Sequence, residues 1–143
     1  MHHVAIMKKS WGLIPKILSG EKTIESRWYQ TRRAPWDRVA VGDTVYFKNS
    51  AEPITAQATV SKILQFEIST RSELAEIVKK YGNKICLINK DTSTWKTVPK
   101  YCILIFLSNP KPVPKPFSIN KTGFGTASAW LCVGDIREIK MLL

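Results

Sequence analysis

The sequence predicts an α+β domain built on a small closed or nearly closed β-barrel with two or three short helices. Three observations predict it: several short strand-like runs, two stretches of helical apolar spacing that each stop at a glycine, and glycine-containing turns between them. The 143 residues fit a single domain, expected over 1–143. Hydrophobic residues at 44% and charged residues at 23% describe a globular chain, long enough to bury a core without metals or disulfides.

His3 to Lys8 reads as a first strand. Ser10 to Ser19 reads as a helix with Ser10 as its cap, an apolar face of Leu13, Ile14, Ile17 and Leu18, and Gly20 as its stop. Pro15 is free only in a first turn, so the regular part begins near Leu13. Glu21 to Tyr29 is extended. Alternation places Lys22, Ile24, Ser26 and Trp28 on one face and Thr23, Glu25, Arg27 and Tyr29 on the other, with Lys22 at the strand's mouth able to turn toward the preceding helix.

Gln30 to Asp37 is a basic, proline-containing loop, and Val41-Gly42-Asp43 is a turn into a strand over Thr44 to Lys48. Ile54 to Ser61 alternates apolar and polar residues, the pattern of a half-buried strand. A helix follows, with Thr70 and Glu73 as a capping box, Leu74, Ile77, Val78 and Tyr81 at helical spacing, and Gly82 at its end. Tyr101 to Leu107 is apolar throughout, as in a strand covered on both faces. Asn109 to Pro116 alternates proline, which excludes a central strand and predicts a stiff extended connector. An interaction protein using this stretch as a proline-rich ligand is a rival reading. Lys121 to Gly125 is a turn, and Ile136 to Leu142 a last strand.

No run is long enough to span a bilayer, and the N-terminus lacks the order of a signal peptide, so a soluble cytoplasmic monomer without a membrane partner is expected. Cys86, Cys102 and Cys132 are far apart and odd in number, with no zinc-type spacing; they read as small buried thiols. His2 and His3 read as incidental. Neither a metal nor a cofactor is expected. The net charge of +11 favours polyanionic partners.

The segment richest in chemistry is Gly20-Glu21-Lys22-Thr23-Ile24-Glu25-Ser26-Arg27-Trp28-Tyr29. Glu25 and Arg27 lie two apart and can pair. Trp28 and Tyr29 offer flat surfaces for a base. A lysine can neutralise phosphate, a carboxylate can accept from a base amino group, and an arginine can recognise or stack. The bland alternatives are a surface ion pair and a core tryptophan. The spacing G-x-K-x-x-x-x-R, carried by Gly20, Lys22 and Arg27 after a short helix, resembles the signature of the ASCH domain, and the longer run K-T-I-E-S-R-W is similar to members with Glu three places after the Lys. The Val41-Gly42-Asp43 turn, Gly123-Phe124-Gly125 and Ala129-Trp130-Leu131 extend the resemblance over nearly the whole chain.

The resemblance implies a PUA-like β-barrel with a cleft lined by the signature residues and a role in RNA binding or processing. It also implies an alternative: small bacterial members resemble amidohydrolases that deacetylate acetylcytidine, using the signature Lys, a Thr three places later and a downstream Glu. Here Lys22 matches, Glu25 stands at the Thr position, and Glu73 and Glu76 lie in the region of the downstream Glu. Lys22 and Glu25 are the candidate catalytic pair of that alternative, with Glu25 as general base and Lys22 stabilising an oxyanion.

Eight basic against three acidic residues occupy the first forty positions. Lys8, Lys9, Lys22, Arg27, Arg32 and Arg33 are candidates for phosphate or base edges. Trp28, Tyr29 and Trp36 are candidates for stacking, unless Trp36 folds back on the barrel, and Glu25 is a candidate for reading an amino group. Lys79, Lys80 and Lys84 are read as complementing a helix dipole, and Trp95 and Trp130 as packing residues. The expected partner is RNA, or a single-stranded or modified nucleotide.

Overall fold

In a computed structural model, which describes residues 1–125 and 127–141, six strands form one mixed sheet in the order β2-β5-β4-β3-β1-β6. The strands are β1 (His2–Met7), β2 (Ile24–Tyr29), β3 (Thr44–Asn49), β4 (Ile54–Glu67), β5 (Tyr101–Phe117) and β6 (Trp130–Gly134), with helices α1 (Leu13–Ser19) and α2 (Arg71–Ile85). β1 and β3 are parallel; the other neighbours are antiparallel. Register shifts along β4 at Ile54/Ala56, Gln57/Thr59 and Val60/Lys62 bend the two longest strands, as bulges do, and the sheet curls into a half-barrel.

Its concave side holds a core of Ala5, Val45, Phe47, Ala58, Ile103 and Ile105, covered by Leu13, Ile14 and Ile17 of α1. The opposite face of β2 and β5 packs Ile24, Cys102 and Leu104 against Leu74, Ile77, Val78 and Ile85 of α2. The unbroken apolar run from Tyr101 thus does belong to a strand covered on both faces, odd residues inward and even residues under α2.

Several boundaries differ from the sequence reading, each for a physical reason. A 3-10 turn (Lys9–Trp11) precedes α1, whose N-cap is Gly12 at φ 62° rather than Ser10. Thr70 caps α2 by accepting from Glu73 N–H at 3.1 Å, while the Glu73 carboxylate accepts from Ser69 N–H. Gly82 does not end α2, which continues to Ile85 and stops at Cys86, left-handed at φ 59°.

β4 runs on to Glu67, well past Ser61. The proline run is strand, not connector. It pairs with β4 through Lys111 and Pro112, whereas β2 pairs only with residues 101–106, so past that point β5 has β4 alone as a strand neighbour and each proline's missing N–H can face away. Among the described residues the last strand is β6; residues 136–138 form a 3-10 turn, and Leu142 lies outside the described residues.

Neither histidine is incidental. His2 Nδ1 accepts from Ile136 N–H at 2.8 Å. His3 is fully buried, with Nε2 2.8 Å from Asp43 Oδ2 and Nδ1 accepting from Trp130 Nε1 at 3.2 Å. Of the free cysteines only Cys102 is buried; Cys86 and Cys132 are half-buried. Among the described residues no helix is long and apolar enough to cross a membrane, and no cluster of three His, Cys, Asp or Glu side chains is placed to hold a metal ion.

Candidate nucleic-acid interface

The site begins where α1 ends. Gly20, at φ 83°, closes α1 with its N–H on Ile17 O. Lys22 N–H then bonds Lys16 O at 2.9 Å, Thr23 N–H bonds Lys84 O at 3.0 Å, and Thr23 O accepts from Leu107 N–H at 2.9 Å. These bonds pin residues 20–23 between α1, α2 and β5 and turn the Lys22 side chain inward.

Lys22 is only 2% exposed. Its ammonium donates to Ile24 O at 2.8 Å and Ile85 O at 2.6 Å and lies 3.4 Å from Glu25 Oε1. Two of its donors are thus spent on backbone carbonyls, and its charge faces a buried carboxylate. Ile85 O is one of the carbonyls a helix C-terminus leaves without an intrahelical partner, so Lys22 satisfies it and places positive charge at the negative end of the α2 dipole.

Glu25 is 3% exposed. Oε1 accepts from Ser26 N–H at 2.9 Å, and Oε2 from Arg27 Nη2 at 3.2 Å. Burial pushes the carboxyl upward, but Lys22, Arg27 and the Ser26 N–H together outweigh it and hold Glu25 below the usual glutamate range. Arg27 reaches further: Nη1 donates to Ala129 O at 3.2 Å, Nη2 approaches Ile6 O at 3.5 Å, and the guanidinium lies 5.3 Å from the centre of the Trp130 ring. Two cations thus surround one carboxylate, leaving the cluster a net charge of +1.

Two joined lobes open over this cluster. The larger, about 420 Å³, is walled by Trp11, Trp28, Trp95, Leu87 and Ile88, with Lys22, Glu25 and Ser26 beneath. The smaller, about 220 Å³, contains Lys8, Arg27, Tyr29 and Arg33; Trp11, Leu13, Glu25, Ser26 and Trp28 are common to both. Trp28 Nε1 donates to Ser26 Oγ at 2.9 Å, and its ring meets Trp95 edge-on at 5.3 Å. Trp95 is held by its own Nε1 on Asn89 O and by Arg71, whose Nη1 donates to Thr92 O and Trp95 O. Arginine in the first turn of a helix opposes the dipole, so the tether to the Trp95 loop is the interaction that accounts for Arg71 there. In the smaller lobe Lys8 lies 5.6 Å from the Trp11 ring centre and Arg33 4.9 Å from that of Tyr29.

Lys8, Lys22, Glu25, Arg27, Trp28, Tyr29 and Arg33 therefore come together. Lys22 does so as a buried cation rather than a free donor. It also sits beside Glu25 instead of on the opposite face, because the strand begins only at Ile24 and alternation does not extend back to it. Lys9, Arg32 and Trp36 line neither lobe. Lys9 is paired with Glu52 at 2.8 Å. Arg32 is paired with Glu67 and lies over Trp36 and Tyr101, and Trp36 is folded back on Tyr101 at 5.0 Å.

Glu73 and Glu76 are exposed near the start of α2. Nine residues separate Glu76 from Ile85, about 14 Å along a helix axis, so neither carboxylate joins Lys22 and Glu25. Sequence reasoning missed Trp11, and it assigned Trp95 to packing alone. Trp95 stands in the polar run Asp91 to Thr97 with no apolar period to bury it, which is the signal that finds it, whereas Trp11 lies three residues before Ile14 in an apolar helical period and carries no such signal.

No protein-family model matches the sequence, and no curated protein matches it. Solved structures do. A mutant form of the ASCH protein from Zymomonas mobilis superposes with a TM-score of 0.67 at 16% identity, over 96% of this chain and 93% of that one. Another crystal structure of ASCH from Zymomonas mobilis gives 0.65 at 16% identity, over 92% and 87%. The N-terminal domain of Staphylothermus marinus McrB gives 0.52 at 10% identity, over 92% and 87%. The chain has the fold of these ASCH structures, a half-barrel sheet with two helices.

Proposed function

We propose that this ASCH-fold chain binds RNA, or a single-stranded or modified nucleotide, in the two-lobed cleft. The observation that carries the reading is the union of three tryptophans around the larger lobe with Lys8, Arg27 and Arg33 in the smaller, over a buried cluster of net positive charge. Indole rings suit a base, and the cationic lobe suits the phosphate attached to it. The larger lobe falls within the usual volume range of small-ligand pockets. Lys22 and Glu25 act here by fixing charge and shape.

The test is fluorescence anisotropy with labelled single-stranded RNA across a salt series. Binding should weaken about 20-fold between about 50 and 200 mM salt if Lys8, Arg27 and Arg33 each neutralise one phosphate at about 0.7 of slope apiece. Lys8→Ala with Arg33→Ala should flatten that dependence. Absence of binding at low salt, or indifference to the cleft substitutions, refutes the proposal.

A further inference from the structure

Beside the cleft, on the outer flank of α2, lies a second grouping of cations and rings that the cleft does not use. Phe66, Tyr81 and Phe106 form a half-buried aromatic row, with centroids 6.4 Å apart for Phe66–Tyr81 and 6.0 Å for Tyr81–Phe106. An ammonium sits over each of two rings: Lys62 Nζ is 5.2 Å from the centre of Phe106, and Lys80 Nζ 5.4 Å from that of Tyr81. Lys79 and Lys84 are exposed on the same helix.

Among the described residues none of these four lysines has a carboxylate within 4 Å. The helix dipole accounts for Lys84 in the last turn, but not for Lys62, which comes from β4 opposite Phe106. Cations gathered from two elements without an anion of their own complement a polyanion. Resting on a ring, each ammonium is already partly ordered, so less freedom is lost on binding. The elements that carry the patch are tied to the segment beneath the cleft: Phe106 pairs with Ile24, two residues from Lys22, and Lys84 O holds Thr23 N–H.

We propose that Lys62 and Lys80, on the Phe106–Tyr81 row, form a second contact for the phosphate backbone of a nucleic-acid strand that also occupies the cleft. This rests on the reading of the cleft above. The experiment compares labelled single-stranded RNA of about three and about fifteen nucleotides on wild type, Lys62→Ala/Lys80→Ala and Trp28→Ala/Trp95→Ala. The lysine pair should weaken only the longer RNA, and its log–log salt slope should fall by about 1.4, two phosphates at about 0.7 each. The tryptophan pair should weaken both lengths.

If wild type binds neither RNA, the cleft reading fails and this contact with it. If wild type binds and the tryptophan pair weakens it, while the lysine pair leaves the long-RNA slope unchanged, only the second contact is overturned. Equal weakening of both lengths by the lysine pair overturns it too. So does an unchanged slope accompanied by loss of binding to a polyglutamate probe, which would assign the patch to an acidic protein.

Discussion

Replacing Lys22 by methionine keeps the aliphatic stem and removes the ammonium. Ile24 O and Ile85 O each lose a charged hydrogen bond, at 2.8 and 2.6 Å, and Glu25 loses a cation 3.4 Å away. Hydrogen bonds to charged groups contribute about 1.5–3 kcal/mol each, and breaking one side of a buried ion pair costs about 3–5 kcal/mol overall. A loss of about 4 kcal/mol is a large part of the 5–15 kcal/mol that holds a typical domain together.

With a urea slope of about 2 kcal/mol/M, the unfolding midpoint should fall by about 2 M. Adding Glu25→Gln should recover part of the loss, since the stranded carboxylate is then gone. The pH response supplies the sign. In wild type Glu25 titrates below its unfolded value, so its contribution is complete above about pH 4.3 and is lost as pH falls through the folded value. In Lys22→Met, burial is less opposed and raises the Glu25 pKa, so the folded state gains protons first and the gap to wild type should narrow from pH 7 to 5. A midpoint shift under about 0.5 M, with no pH effect, would show that Lys22 is a free functional group and not the structural cation described here.

Trp28→Ala should weaken RNA binding about 5- to 150-fold, from about 1–3 kcal/mol of stacking per base. Trp36→Ala, outside both lobes, should leave anisotropy titrations unchanged. Burial holds His3 below its ordinary pKa against the pull of Asp43, so the unfolded chain takes up a proton first. Wild-type urea stability should therefore decline as pH drops below about 6.5, and His3→Gln should decline less than wild type between pH 7.5 and 5.5. Thr70→Ala removes the α2 cap and should cost about 1 kcal/mol, read as a melting point lower by about 3 °C.

What the sequence made legible was local. Glu25 and Arg27 share a face because a strand alternates, Thr70 and Glu73 sit at capping distance, and Cys102 to Phe106 is apolar because α2 covers one side and the barrel core the other. What it hid depends on contacts remote along the chain. Lys22 turns inward because Lys16 O, Lys84 O and Leu107 N–H fix the segment around it. Trp95 reaches the cleft because Arg71, twenty-four residues earlier, holds its loop. The prolines after Asn109 lie in a strand because β2 ends its pairing at Phe106; that stopping point is a property of the sheet and leaves no mark on residues 109–116.

Arg27 has a mechanical consequence as well as an electrostatic one. It springs from β2, at one margin of the open sheet, and grips Ala129 O and Ile6 O beside β6 at the other, with Trp130 against its plane. The gap between the two margins is thus clasped by a guanidinium that also forms part of the smaller lobe. Spreading the clasp and reshaping that lobe are one movement, so an occupant touching Arg27 would be felt as a change in how tightly the half-barrel is drawn together.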